Sequence, residues 1–192
     1  MTIETHPLAP FLPADGEMLF LGSFPPPKAR WSMDFFYPNW INDFWRIMGE
    51  IHFADKTYFE VSGKKCFDKE RIVGFCREAR LAFFDTARKV CRQRDNASDD
   101  FLEILEPTDV WELLAQMPRC QRVVTTGGKA SEELSRHLTN VSEVVVAMPR
   151  IGSATRVSLH GREVEWWRMP SSSRAYPLAL AKKVDFYRRL FG

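Results

Sequence analysis

Hydrophobic positions along this chain fall into short runs whose period keeps changing. Met18 to Leu21 is a continuous apolar stretch of strand length, the pattern of a strand buried on both faces. Over Asn42 to Ile51 the period becomes helical, with Phe44, Ile47, Met48 and Ile51 on one stripe and Asn42 placed as the N-cap. Asp68 to Ala79 reads as a second helix, and Leu81-Ala82-Phe83-Phe84 as a second strand. Asp109 to Gln116 predicts a helix, Arg122 to Thr126 a strand, Gly127-Gly128 a turn and Ala130 to His137 another helix. Val144 to Ala147 is again strand-like. Arg156 to Leu159 and Glu163 to Arg168 flank His160-Gly161, a hairpin signal, and Leu178 to Phe191 reads as the closing helix.

Strands alternating with helices imply right-handed βαβ crossovers. The expected fold is therefore α/β, a three-layer αβα sandwich with a mostly parallel central sheet. At 192 residues the chain suits one domain with a sizeable core, spanning 1–192. The proline-rich pieces, Pro7 to Pro13 and Pro25 to Pro27, are too short to be linkers, and there is no internal repeat.

Composition narrows the class only a little. A hydrophobic fraction of 45% with 27% charged residues is that of an ordinary globular protein. The apolar runs fall far short of a membrane span, and Met1 to His6 has no basic segment followed by an apolar one, so an intracellular, cytoplasmic protein with no membrane partner is expected. Cys66, Cys76, Cys91 and Cys120 form no C-x-x-C pair, which argues against a zinc ribbon and for reduced, mostly buried thiols. Net charge is only +2, but from Arg150 onward nine Lys or Arg face three Asp or Glu, leaving −4 for the first 149 residues. That asymmetry would draw a polyanion toward the C-terminal part, or it is the incidental charge of a solvated helix.

The candidate chemistry lies in two loops, each following a strand-like run. One is Leu21-Gly22-Ser23-Phe24-Pro25-Pro26-Pro27, small and proline-stiffened where backbone would approach a ligand. The other is Met169-Pro170-Ser171-Ser172-Ser173-Arg174, three hydroxyls followed by a cation. In an open α/β sheet such loops share one edge at the carboxyl ends of parallel strands, and the pair suits a grip on nucleic acid. The serines would equally serve to cap the last helix.

These segments also carry a resemblance. Leu21-Gly22-Ser23-Phe24-Pro25, then Tyr37-Pro38-Asn39-Trp40-Ile41-Asn42-Asp43-Phe44-Trp45, then Met169-Pro170-Ser171-Ser172-Ser173, resemble the successive motifs of the uracil-DNA glycosylase superfamily. The branch they are most similar to is the hypoxanthine-DNA glycosylase or mismatch-specific group. Leu81 to Asp85 and the Gly-Gly-Lys turn at Gly127 to Lys129 extend the likeness over nearly the whole chain. The resemblance implies a monofunctional enzyme that hydrolyses the N-glycosidic bond of a deaminated base, uracil or hypoxanthine, in DNA, as a monomer with no metal or cofactor.

Under that resemblance, roles follow from what base excision requires. The nucleotide must be everted into a pocket, so Pro170, Ser171, Ser172 and Ser173 would hold backbone phosphates while Arg174 enters the groove or the vacated stack. Gly22 and Ser23 would offer backbone amides to the base, and Phe24 or an aromatic from Phe35 to Tyr37 would stack on it. Each of these rings would serve equally as core. Better-known branches carry an Asp or Asn where this chain has Phe24, so Asn42 is the expected water-orienting residue, unless it only caps its helix; Asp34, Asp43 and Asp85 stand in reserve. A second departure is Met169, where the most active uracil-specific branch has a base-supporting His; Lys129 or the Gly127-Gly128 amides would then supplement the pocket, although Lys129 would equally be a phosphate contact. A DNA-binding protein of the same fold with weak or no catalysis, and a small-molecule enzyme on a doubly wound fold, are the competing readings.

Overall fold

The computed structural model describes residues 2–92, 102–142 and 145–192. In chain order its elements are β1 (Thr2–Thr5), β2 (Met18–Gly22), α1 (Phe44–Phe53), α2 (Lys69–Glu78), β3 (Leu81–Asp85), β4 (Ala87–Arg92), β5 (Leu102–Pro107), α3 (Val110–Ala115), β6 (Arg122–Thr126), α4 (Gly128–Ser142), β7 (Ser153–Leu159), β8 (Arg162–Met169) and α5 (Leu180–Arg188). Five strands form the main sheet in the order β3-β2-β6-β8-β7. The neighbours β3 and β2, β2 and β6, and β6 and β8 run parallel, while β7 is an antiparallel edge.

Every residue of β2 and β3 is buried, because these strands have helices on both faces. On one face Phe20 and Phe83 stack 5.4 Å apart beneath Phe44 of α1, and Phe44 in turn meets Tyr187 of α5. On the other face Thr125 of β6 hydrogen-bonds Ser131 of α4 at 2.9 Å and accepts the indole N–H of Trp166 at 2.9 Å. Alternation along the strands thus sends neighbouring residues into different helical layers. The expected αβα sandwich with a mostly parallel sheet is the observed fold.

Local signals explain the element ends. Asp68 caps α2 by accepting from Arg71 N–H, and Asp109 caps α3 by accepting from Trp111 N–H at 2.9 Å. His160 and Gly161 both adopt positive φ, +50° and +79°, which matches the twist of the β7–β8 hairpin.

Three expectations need correction. Helix α1 starts at Phe44, two residues past the expected cap, although Asn42 still caps it by accepting Phe44 N–H at 2.9 Å. Val145 to Ala147 form no strand, and Val145 is 84% exposed; Val144 lies outside the described residues. The unforeseen element is a second sheet, β1-β4-β5, antiparallel throughout. It leaves the main sheet one residue after β3 and packs Ala87, Val90 and Leu102 around Phe24.

The four cysteines are free thiols, with Cys76, Cys91 and Cys120 buried. Burial pushes the Cys120 thiol up to about 11. Among the described residues no helix is long and apolar enough to cross a membrane.

His52, at the end of α1, is wedged between Phe75 and Phe191, and its Nε2 is buried without a hydrogen-bond partner. Burial lowers its pKa, and does the same to His137, where the Asp109 carboxylate 3.7 Å away only partly opposes it. Between the folded value and the ordinary one of about 6.5, the unfolded chain binds more protons, so stability falls as pH drops through that window. Thermal unfolding followed from pH 8 to pH 5 is expected to show this decline, and His52→Phe is expected to flatten it.

Candidate active site

At the carboxyl ends of β2, β3, β6 and β8 lies a cavity of about 510 Å³. The first loop forms one wall, from Gly22 through Pro26, and the serine loop, Ser171 to Ser173, forms the other. Phe36 to Pro38, Asn42, Asp85 and Thr126 also belong to the lining, with Leu8 at one side and Ala175 to Pro177 at another. The two loops singled out in sequence therefore meet across one space, as the switch-point rule for open sheets requires.

Backbone contacts fix the serine loop against the start of α1 and the end of β6. Asn42 and Ser173 form an antiparallel bridge, Asp43 N–H donates to Ser172 carbonyl at 2.9 Å, and Gly127 N–H donates to Met169 carbonyl at 3.1 Å. Gly127 has a φ of +96°, and a Cβ there would touch Ser171. Gly22 is required for a different reason: a Cβ would sit 2.5 Å from the Asp85 carboxylate. The absent side chain leaves room for that carboxylate at the cavity floor.

Below the serine loop is a buried charge cluster. Asp43 accepts from Arg174 Nε at 2.8 Å and from Lys183 Nζ at 3.1 Å, with Arg46 at 4.0 Å. Lys183, whose side chain is 1% exposed, also donates to the carbonyls of Ser172 and Ser173. Arg46 is engaged further by Glu60 at 2.6 Å and lies over the Trp40 ring. Tyr187 hydroxyl donates to Pro170 carbonyl at 2.8 Å, so α5 holds the loop from beneath at both ends.

The individual candidates occupy distinct environments. Tyr37 lines the cavity at a φ of +51°, in the left-handed region, kept there by stacking on Phe44 at 3.9 Å and by a 2.8 Å hydrogen bond between its hydroxyl and Thr126. Burial drives its pKa far upward, so the phenol keeps its proton. Phe24 is buried, with its ring edge-on to His6 at 5.3 Å and beneath the Arg92 guanidinium. Arg92 itself donates to Pro25 carbonyl and pairs with Glu4, so the second sheet braces the first loop.

Asn42 lines the cavity while its Oδ1 caps α1. Ser23 lines it from the first loop. Ser171 Oγ accepts from Ser173 N–H, and Ser173 Oγ from Ala175 N–H, so both hydroxyls organise the loop, and helix α5 begins only at Leu180. Lys129 stands apart: it is not in the lining and lies 3.7 Å from Glu133 on its own helix. Among the reserve carboxylates, Asp34 is exposed beside Lys28, Asp43 belongs to the charge cluster, and Asp85 lines the cavity.

Sequence reasoning missed His6. Its Nε2 lies 2.9 Å from Asp85 Oδ2, and its side chain is 3% exposed. No motif marks it, since it arrives from β1 over 79 positions of sequence. Among the described residues no group of three or more His, Cys, Asp or Glu could hold a metal ion.

No family model matches this chain, and no curated protein does. The fold, however, is shared: a solution NMR structure of a provisionally assigned uracil DNA glycosylase from Methanosarcina acetivorans superposes over 100% of both chains, with a TM-score of 0.65 and 19% identity. The likeness defines an α/β sandwich of the uracil-DNA glycosylase type.

Removing the buried carboxylate, as in Asp43→Ala, would leave Lys183 and Arg174 without their counter-charge and is expected to cost about 3 kcal/mol or more in urea unfolding. Lys183→Met leaves Arg174 on Asp43, so its cost is expected to be smaller.

Proposed function

We propose that this protein is a monofunctional DNA glycosylase that excises a deaminated base, uracil or hypoxanthine, in base-excision repair, acting as a monomer. One observation carries the reading: the glycine turn and the serine loop line one cavity of about 510 Å³, roomy enough for an everted nucleotide, at the edge where such folds bind ligands. The shared fold and the order of motifs along the chain support it.

A base within a duplex is out of reach, so the nucleotide must be everted. In this reading the loop from Pro170 to Ser173 meets the flanking phosphates, with the hydroxyls of Ser171, Ser172 and Ser173 as donors and Pro170, which has no N–H to give, directing the backbone. Arg174, whose Nε rests on Asp43, would leave that carboxylate to enter the groove or the vacated stack when DNA binds. The base enters between Gly22, Ser23, Phe24 and Tyr37, with Tyr37 hydroxyl and the loop amides as donors. Lys129 serves outside the cavity as a phosphate contact.

As the glycosidic bond breaks, the sugar becomes oxocarbenium-like and the base gains negative charge. Asn42 orients the attacking water through a lone pair of Oδ1 beyond the one that caps Phe44. Because capping fixes that side chain, the water position is held with it. No metal or cofactor enters these steps.

Duplexes carrying uracil, hypoxanthine or xanthine, incubated with the protein and treated with alkali, are expected to break at the damaged position. Asn42→Ala is expected to slow single-turnover cleavage by about 100-fold; an unchanged rate removes Asn42 from the mechanism. Salt-sensitive binding without cleavage would favour a DNA-binding protein that has lost catalysis.

A further inference from the structure

The lip of the cavity carries an apolar side chain for which base binding and water activation have no use; a role for it rests on the glycosylase proposal. From residue 35 to residue 52, all among the described residues, Ile41 is the one that is exposed, at 52%. An isolated apolar residue on a surface is ordinary. This one belongs to the cavity lining, and the bridge between Asn42 and Ser173 sets it opposite Arg174, whose N–H donates to Ile41 carbonyl at 3.4 Å.

The backbone around Ile41 is pinned on both sides. Its N–H donates to Asn39 Oδ1 at 3.1 Å, and the carbonyls that flank it, those of Trp40 and Asn42, both accept from Arg46 Nη1, at 2.8 and 3.1 Å. Arg46 is itself fixed. It is buried, bound to Glu60 at 2.6 Å, and lies over the rings of Trp40 and Phe67 at 4.3 and 5.1 Å. Trp40 packs on Phe67 at 5.0 Å and Asn42 caps α1, so of these three neighbours only Ile41 is left facing out. Branching at Cβ leaves it little rotamer freedom to lose. The result is a stiff apolar side chain on a rigid lip, the arrangement a precisely placed contact needs.

We propose that Ile41 is a wedge: it enters the base stack beside the everted nucleotide and fills the gap, with Arg174 on the groove side of it and Arg46 as its positioning residue. Eversion exposes the faces of the neighbouring bases to water, and an apolar group inserted there recovers part of the lost stacking. The guanidinium of Arg174 must first leave Asp43, and among phosphates in the groove it finds replacement acceptors. Ile41 needs no such release. With neither donor nor acceptor on its side chain, it fills the gap without reading the base opposite, so any preference for that base is left to the ease with which each pair opens.

The test is single-turnover cleavage of duplexes carrying uracil or hypoxanthine opposite either a natural base or pyrene, a flat surrogate that fills the vacated space itself. Opposite the natural base, Ile41→Ala is expected to slow cleavage about tenfold or more, while Ile41→Leu, still apolar and of equal size, loses much less. Opposite pyrene, the Ile41→Ala rate is expected to recover most of the way to wild type. A change on the partner strand repairs a missing wedge and does not repair a distorted pocket, and melting temperatures of both variants check that they fold. An undiminished rate in Ile41→Ala, or a loss that pyrene leaves in place, overturns the inference and leaves the glycosylase reading standing; no cleavage of any duplex by the wild type overturns both.

Discussion

Three cations, Arg46, Lys183 and Arg174, surround the carboxylate of Asp43 at the start of α1, and nearly everything about the site follows from how they share it. A buried ion pair contributes little net stability, since desolvation offsets most of the attraction, but it is intolerant of misplacement. Lys183 bonds Asp43 and two carbonyls of the serine loop together, so that α1, α5 and the loop are registered against one another through a single ammonium. The loop is thereby held by groups beneath it, and its serines remain in the cavity lining.

The opposite wall relies on a different device. The first loop is stiffened by prolines and braced from behind by the small second sheet, through Arg92 on Pro25 carbonyl and through Phe24 packed among Ala87, Val90 and Leu102. A ring at the Phe24 position is thus partly a matter of architecture. It closes a satellite core while its edge meets His6, and the carboxylate in the neighbouring lining is that of Asp85.

How much of this was legible in sequence depends on how local the cause is. The strands of the main sheet were readable from continuous apolar runs at Met18 to Leu21 and Leu81 to Phe84, and α2 and α3 from Asp68 and Asp109, whose carboxylates cap them. The meeting of the two loops followed from topology, a property of parallel sheets in general. The run expected as a strand from Val144 to Ala147 misled because its described part, Val145 to Ala147, pairs with no strand. The second sheet was invisible: β1 reads Thr-Ile-Glu-Thr, mostly exposed, and its partner β4 mixes cations among its apolar residues. With that sheet went His6, whose significance is set entirely by a carboxylate far along the chain. The Asp43 cluster was hidden likewise, since Lys183 resembles any other lysine on a surface helix until the fold buries it.

The cavity draws its walls from residues far apart in sequence, from Leu8 and Gly22 through to Pro177, and its underpinning from Lys183 and Tyr187. Contacts this distant form late, because loop-closure entropy must be overcome before they contribute. A nascent chain emerging from the ribosome could complete β2, β3 and their helices and still possess no pocket until α5 docks. Loss of α5 alone would release the serine loop while leaving the strand pairing of the central sheet in place, so the shape of the cavity is tied to a helix that lies outside its walls.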